Sequence, residues 1–514
     1  MSAINMPPEK QFSRRNFLKL ASLVPLAWAA RLIGDAPRPG SDGNTPNIII
    51  LVFDAWSARH MKLYGYPRGT MPNLEKFAET ATVFHKHYST ATFTVPGTAS
   101  LLSGLHPWTH RAINLGGGGI ARQHVKHQIF SHFSNTHSTL GYGQNKYADI
   151  FLYQFRKYLD LHVKTGAFNL EHRYLHNNLL FENDAGTAFA SFQNNIFQES
   201  QGYDSSLFIG PAFRLWKLRE RSVIAIKHKD EYPRGVPDST EQFLLSDLVD
   251  GVLGMLREID TPTLAYLHLF PPHDPYTFTR EFKKRFQDGW LPKEKPVHGL
   301  SEQKPYKLLN LWNEYYDEYL ASWDAELGRL FDFLYHSGLL NNSYIVITSD
   351  HGELFERGDS GHFTPLIYDP LIHIPLIMSR PGQNVREDVY APTSSVDVLP
   401  TLAHLTNKPI PDWAEGKLLP SFGGTEDVER SIYAMDAKNN SAFAPLNRIT
   451  ISLTKKNYRL TYYNYPDNQQ FEFYDLGMDP EEAKDLYPSQ PAAALQMKDE
   501  LLQKLTEINK PFEQ

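Results

Sequence analysis

The chain contains no cysteine, which removes disulfide frameworks, thiolate metal sites, cysteine nucleophiles and iron–sulfur clusters together. It also lacks a membrane-length apolar run near its start. The uncharged stretch Leu20 to Ala30 is interrupted by Pro25 and falls short of the ~20 residues that span a bilayer. There is no basic excess: 51 Lys and Arg face 58 Asp and Glu, a net charge of −7, so nothing points to nucleic acid. The glycine run Gly116–Gly119 is not followed by Gly-Lys-Ser/Thr and reads as a flexible turn, not a P-loop. Internal repeats and low-complexity tracts are absent. What remains is 514 residues, 41% hydrophobic and 21% charged, an ordinary globular chain with ample core. Its length suggests roughly three domains at ~150 residues each, and 21 histidines suit an enzyme with a polar cleft.

Ser13-Arg14-Arg15-Asn16-Phe17-Leu18-Lys19 is a twin-arginine sequence. The apolar stretch behind it has the length of a signal-peptide core, and Ala27-Trp28-Ala29 offers a small-x-small cleavage site. Residues 1–29 are therefore expected to be a Tat export signal, handed to the Tat translocon and then cleaved or kept as an anchor. Residues 30–46, rich in Pro and Gly, read as a linker. The mature protein is expected in the periplasm or outside the cell.

Ile48-Ile49-Ile50-Leu51-Val52-Phe53 is a continuous apolar, mostly β-branched run, the pattern of a strand buried on both faces of a parallel sheet. It ends at Asp54. The run Tyr344–Ser349 repeats the pattern and ends at Asp350-His351-Gly352-Glu353. In open α/β sheets the ligand site lies at the carboxyl ends of the strands. Two carboxylates and an imidazole sharing that edge would repel and desolvate one another unless a cation sat between them. Either Asp alone could instead be a helix N-cap. In Thr92-Phe93-Thr94-Val95-Pro96-Gly97, Pro96 suits the first turn of a helix that Gly104 ends. Thr94 would then sit just ahead of the helix N-terminus, where free amides favour an anion. A hydroxyl beside a divalent cation there can act as a nucleophile, although Thr94 or Thr92 could equally be a plain N-cap.

Together these pieces resemble the sulfatase family of the alkaline-phosphatase superfamily. The resemblance rests on Thr94-Val95-Pro96-Gly97-Thr98 with Ser100–Pro107 behind it, Ser349–Glu353, Gly361-His362, Ile374–Ile377 followed by Pro381-Gly382, Asp397–Leu402, and Tyr474-Asp475-Leu476 with Asp479-Pro480, all in the family's order. It implies an α/β fold with a large mixed, mainly parallel sheet flanked by helices, and a smaller C-terminal α+β subdomain. It also implies one divalent metal ion held by Asp54, Asp350, His351 and the nucleophile Thr94. His273, in Pro271-Pro272-His273-Asp274-Pro275-Tyr276, matches the histidine that touches the transferred group, and His362 the one that serves the leaving oxygen. Lys146 matches the anion-binding lysine or is a surface lysine.

Departures from the family pattern bear on the chemistry. Its familiar members carry Cys or Ser at the place of Thr94 and oxidise it to formylglycine, which threonine cannot form because its Cβ bears a methyl. The arginine expected four residues on is Thr98, and the second aspartate of the first strand is Ala55. Fewer oxygens and an imidazole favour Zn²⁺ or Mn²⁺, with Ca²⁺ possible. A threonyl sulfate lacks the exit that a formylglycine diol has, whereas a threonyl phosphate can be displaced in line. The expectation is a metal-dependent hydrolase of phosphate or sulfate esters on a small molecule, glycan or lipid, leaning to phosphoryl chemistry. A sulfuric ester hydrolase without formylglycine, a phosphoryl-group transferase and an inactive binding relative stay open.

Elsewhere, Tyr306 to Ser337 reads as a long amphipathic helix, and 148–260 as an aromatic-rich region that lies over the cleft or simply packs. The catalytic domain is expected over 47–425. Residues 426–514 would form the C-terminal subdomain, an antiparallel sheet closed by a helix near Ala492–Ile508.

Overall fold

The computed structural model describes residues 45–115, 118–170 and 218–513, apart from positions 220, 238, 240, 260, 261 and 467. The twin-arginine segment, nearly all of the linker, Gly116-Gly117 and the stretch 171–217 of the aromatic-rich region lie outside the described residues.

An eight-stranded sheet carries the fold. In chain order its strands are β1 (Asn47–Phe53), β2 (Thr82–Phe84), β3 (Ser138–Gly143), β4 (Leu161–Val163), β5 (Thr263–Leu269), β6 (Ser343–Thr348), β7 (Leu376–Ser379) and β8 (Glu387–Val389). They lie side by side as β8-β2-β7-β6-β1-β5-β3-β4. Strand β1 runs parallel to both β5 and β6, and only β7 is antiparallel to its neighbours. The sheet is therefore mixed and mainly parallel, as the apolar runs imply. Alternation along β1 divides the core in two. Ile49, Leu51 and Phe53 pack with Trp323, Leu327 and Leu330 on one face, while Ile48, Ile50 and Val52 meet Leu102, Leu399 and Leu402 on the other. All seven residues of β1 are buried, which explains why the strand reads as an unbroken apolar run.

Five helices matter for the site: α1 (Thr94–Ser103), α2 (Lys146–Gln154), α3 (Leu245–Arg257), α4 (Tyr306–His336) and α5 (Val398–Leu405). The long helix ends one residue short of the expected Ser337, which is its C-cap. In the C-terminal part, β9 (Ile432–Asp436), β10 (Ile449–Lys455), β11 (Tyr458–Tyr465) and β12 (Asn468–Asp475) form an antiparallel sheet. Helix α6 (Ala492–Asn509) closes it, burying Ala494, Met497, Leu501 and Ile508 against Ile449, Ile451 and Leu453.

Candidate active site

Strands β1, β5 and β6 lie adjacent and parallel, so residues at their carboxyl ends converge. Asp54 follows β1, Asp350 and His351 follow β6, and His268 comes from β5 itself; all four are fully buried. His268 Nε2 lies 3.1 Å from Asp54 Oδ2 and 3.7 Å from Asp350 Oδ2, and His351 Nε2 lies 3.4 Å from Asp54 Oδ1. Neither aspartate caps a helix. The short turn after Asp54 is capped by Ser57, and Asp350 is followed by irregular chain leading to a strand at Leu354.

Close backbone packing holds the two loops. Ser349 Oγ lies 2.6 Å from the carbonyl oxygens of both Phe53 and His351 and accepts from the Trp56 amide at 3.0 Å. Ala55 stands in the left-handed region at φ 58°, a conformation that costs a non-glycine residue about 1–3 kcal/mol. Tyr316 of α4 donates to its carbonyl at 2.7 Å, and the Ala55 amide points at Asp350 Oδ1, 3.4 Å away. Ala55 thus supplies an amide where the family pattern has a carboxylate. A Cβ on Gly97 would come 2.2 Å from the Asp350 carbonyl oxygen, and one on Gly352 2.0 Å from that of Pro370. Both approaches require glycine.

Thr94 is the first residue of α1. Phe93 is the N-cap and offers no side-chain capping bond, so neither Thr94 nor Thr92 is a plain cap. The buried Thr94 hydroxyl lies 3.3 Å from His351 Nε2 and 3.5 Å from Asn145 Nδ2. Asn145, the N-cap of α2, also donates to Asp54 Oδ2 at 2.5 Å. At the position of the expected arginine, Thr98 donates to Asp350 Oδ2 at 3.5 Å. From the turn before α2, Asn145 reaches the cluster; the Lys146 ammonium lies over the Tyr147 ring, 5.3 Å from its centroid, and burial lowers its pKa.

His362 is buried, with Nδ1 3.0 Å from Glu353 Oε1 and its ring 4.4 Å from that of His351 and 4.7 Å from that of His273. His273 is nearer the surface; its Nδ1 lies 2.6 Å from the Asp274 carbonyl oxygen. The five histidines and acids expected at the site, together with Thr94, thus gather in one place, with Lys146 beside it. His268, Asn145 and Glu353 join them without having been assigned roles from sequence. A histidine inside an otherwise apolar, doubly buried strand was the available signal for His268, and an Asn directly ahead of a helix the signal for Asn145.

The field follows from this crowding. Burial alone would raise the Asp54 carboxyl, but the imidazoles of His273, His268 and His351 hold it well below the usual carboxylate range. Asp350 moves up, through burial and then repulsion from Asp54. Burial works against the His351 imidazolium, but Asp350 and Asp54 push its pKa up to about 9. His362 is driven well below its ordinary value by burial and by His351 and His273, and burial pushes Glu353 up to about 7. Asp54 Oδ1 is buried without a hydrogen bond, and Asp54, His268 and Asp350 bring ligand atoms within 4.8 Å of one another. Carboxylates and imidazoles around a bare oxygen fit a divalent ion of the Zn²⁺ or Mn²⁺ type. A cavity of about 650 Å³ runs outward from His362 and Asp274, walled by Glu231–Pro237, Trp312, Tyr315 and Phe363, so part of the aromatic-rich region borders the site.

The sulfatase family profile matches residues 46–408, well over half of the chain. The chain belongs to the sulfatase family. A second profile, N-sulphoglucosamine sulphohydrolase, C-terminal, matches residues 358–511. An ulvan-active sulfatase from Formosa agariphila is 23% identical over 391 residues, 75% of this chain and 66% of the relative. A choline-sulfatase from Rhizobium meliloti is 28% identical over 44% of this chain and 45% of the relative. The alignments therefore span less than two thirds of these two curated relatives. An arylsulfatase from Clostridium perfringens is 22% identical over 87% of this chain and 91% of its own length. In fold, this sulfatase-family chain is similar to a phosphonate monoester hydrolase from Silicibacter pomeroyi, with a TM-score of 0.63 and 18% identity over 90% of this chain and 96% of that one. It is also similar to a protein solved with its substrate D-glucosamine-2-N,6-O-disulfate, with a TM-score of 0.62 and 18% identity over 91% and 98%. Among the described residues no helix is long and apolar enough to cross a membrane.

Proposed function

We propose that this sulfatase-family protein is a metal-dependent hydrolase of phosphate or sulfate esters that uses Thr94 as nucleophile and leans to phosphoryl chemistry. One observation carries the reading: a buried threonine hydroxyl heads a helix within 3.5 Å of both His351 and Asn145, beside two buried carboxylates. Asp54, Asp350, His351 and Thr94 would hold one divalent ion, with His268 facing both carboxylates. Such an ion, when bound, supplies Lewis acidity that favours the alkoxide and offsets charge on the transferred group.

The chain's own groups do the rest. Asn145 orients Thr94 Oγ1, which attacks phosphorus or sulfur as the bond to the ester oxygen breaks. The first amides of α1 face the anionic oxygens, and His273 lies at the mouth against them. His362 Nε2, buried and without a partner, is the nitrogen available to the leaving oxygen, and Glu353 behind Nδ1 governs which proton it carries. Water then displaces the covalent group in line. The threonyl ester cannot collapse to an aldehyde, which is why phosphate is favoured over sulfate. The organic part of the ester, on a small molecule, glycan or lipid, would occupy the cavity beyond His362. The glucosamine disulfate named as substrate of one structural relative supports a sugar or glycan among these. The twin-arginine segment supports export by the Tat route.

Assay of purified protein with Zn²⁺, Mn²⁺ and Ca²⁺ against phosphate monoesters, phosphate diesters and aryl sulfates tests the proposal. Phosphate esters are expected to turn over faster, and Thr94→Ala to lose on the order of 10⁴-fold or more. Equal activity in Thr94→Ala removes the nucleophile assignment; aryl sulfates far ahead of phosphates remove the phosphoryl preference.

A further inference from the structure

The cavity beyond His362 has its own distribution of charge. Four carboxylates line it, and each has a basic side chain beside it. Lys304 Nζ lies 2.7 Å from Glu302 and 3.5 Å from Asp359, Asp274 lies 3.1 Å from His273 Nδ1, and Glu231 lies 3.9 Å from His228. One cation of the lining is left over. Arg234 shares the wall with His362, and among the described residues no carboxylate or hydrogen-bond acceptor pairs with its guanidinium. Its neighbours are rings instead: the guanidinium carbon lies 3.2 Å from the centroid of Tyr315 and 5.7 Å from that of Phe278. Partial burial draws its pKa down, as for a cation short of compensating charge. The carboxyl whose field reaches it, Glu318 of α4, is pushed up to about 7 by burial and by Glu314, so near neutrality it is a weak counter-charge.

The chain holds this cation in place. Tyr232-Pro233-Arg234-Gly235 is a tight turn, closed by the Gly235 amide donating to the Tyr232 carbonyl at 3.0 Å, and Pro suits its second position. Gly235 follows at φ 92°, where a side chain would be strained. The turn is fastened on both sides of Arg234. The Tyr232 hydroxyl donates to the Phe243 carbonyl at 2.6 Å, Lys283 to that of Pro233 at 3.2 Å and Arg221 to that of Val236 at 2.9 Å. A guanidinium laid flat on an aromatic ring keeps its N–H edge free, and that planar fork matches an oxyanion. The cavity, about 650 Å³, is of the size that encloses one small ligand. Residues 231–237 lie outside the motifs that carry the family resemblance, so this feature belongs to the chain's own part of the cleft.

We propose that Arg234 is a second anion-binding point in the leaving-group cavity, and that the preferred ester carries a further anionic group on its organic part. Carboxylate, sulfate and phosphate share the chemistry that the guanidinium fork recognises. The chemistry at the other end of the ligand rests on the ester-hydrolase reading; the anion point stands on its own geometry.

A ladder of alkyl phosphates of increasing length, each ending in a hydroxyl, a carboxylate, a sulfate or a second phosphate, tests it. Full-length protein supplied with Zn²⁺ is assayed for kcat/KM, and the Thr94→Ala variant is titrated calorimetrically with the same compounds. At the length that spans the cavity, one or more of the charged ends is expected to be favoured over the hydroxyl by on the order of 10-fold or more, the range of a hydrogen bond to a charged group. Which end leads tells the three anions apart. Arg234→Met is expected to bring that ratio close to one and Arg234→Lys to keep part of it. A structural role for Arg234 would lower all members of the ladder together and leave the ratio as it was. A ratio near one at every length in wild type, or an unchanged ratio in Arg234→Met, overturns the proposal. The two readings fail separately: a binding preference that depends on Arg234 with no turnover of any ester removes the hydrolase and leaves this site standing, while turnover without the preference does the reverse.

Discussion

Two clusters of buried charge lie close together, one of them including Asp369 and His373, and they are built on opposite terms. In the cluster that joins the C-terminal sheet to the catalytic domain, every carboxylate oxygen has a donor. Arg459, wholly buried in β11, donates to Glu482 Oε1 at 2.7 Å and Asp369 Oδ1 at 2.8 Å. Glu482 Oε2 accepts from the Asp369 amide, and Asp369 Oδ2 lies 3.0 Å from His373 Nδ1. In the catalytic cluster, Asp54 Oδ1, Glu353 Oε2 and His362 Nε2 are buried with no hydrogen bond. A buried polar atom left unpaired costs about 1–3 kcal/mol. One cluster is thus fully paired within the chain, while its neighbour leaves three atoms that the ion and ester of the proposed function would engage. The two are also wired together: Gly352 and Glu353 donate to the carbonyls of Leu371 and Pro370, so the saturated cluster positions the loop of the unsaturated one.

The sharpest way to break this contrast is to remove one charge from each cluster in metal-free protein. Arg459→Ala leaves Asp369 and Glu482 buried without their cation and is expected to cost about 3–5 kcal/mol of stability, read from denaturant unfolding. Asp350→Asn takes away a carboxylate that burial and Asp54 already oppose. The metal-free variant is expected to melt at or above wild type while Zn²⁺ binding at that site is lost. If Asp350→Asn destabilised the metal-free protein as much as Arg459→Ala, the catalytic cluster would be structural and the contrast would disappear.

A smaller effect separates neighbours. Asn145→Ala removes the amide that touches Asp54 and Thr94 and is expected to lower kcat/KM or metal affinity by about 10–100-fold. Lys146→Met, one residue along, is expected to change kcat/KM by less, since the ammonium lies over the Tyr147 ring. A reversal of that order would support Lys146 as the anion-binding group.

Much of this was legible in the sequence, for physical reasons. Strands buried on both faces must be continuously apolar, so β1 and β6 announced themselves, and a carboxylate at the end of each marked the shared edge. Thr94 was legible through Pro96 and Gly104, which bracket its helix. His268 was not, because a single histidine within Thr263–Leu269 looks like an imperfection in a strand until the pairing of β5 with β1 sets it against Asp54. Asn145 was hidden by its double role, since an N-cap explains an Asn before a helix without any second partner. The Arg459 cluster was invisible for the same reason as most ion networks: its members lie 90 and 23 positions apart along the chain, and only packing unites them.

The subtlest difference between the clusters emerges on acidification of metal-free protein. Burial alone would raise the Asp369 carboxyl, but His373, Arg459 and Arg59 hold it well below the ordinary range, whereas Glu482 is pushed upward by burial and by Asp369. Because the unfolded chain takes up its proton first, near the ordinary Asp value of about 4, Asp369's contribution is complete above that pH. It is lost progressively as the pH falls towards the depressed folded value. Asp369→Asn should therefore flatten the acid side of the stability curve below pH ~4 while leaving its slope between pH 6 and 8 unchanged. Urea unfolding at a series of pH values in chelator measures both slopes. An unaltered acid limb in Asp369→Asn would mean that the charge is not held by its partners in solution, and that the saturated cluster is no better paired than the site it supports.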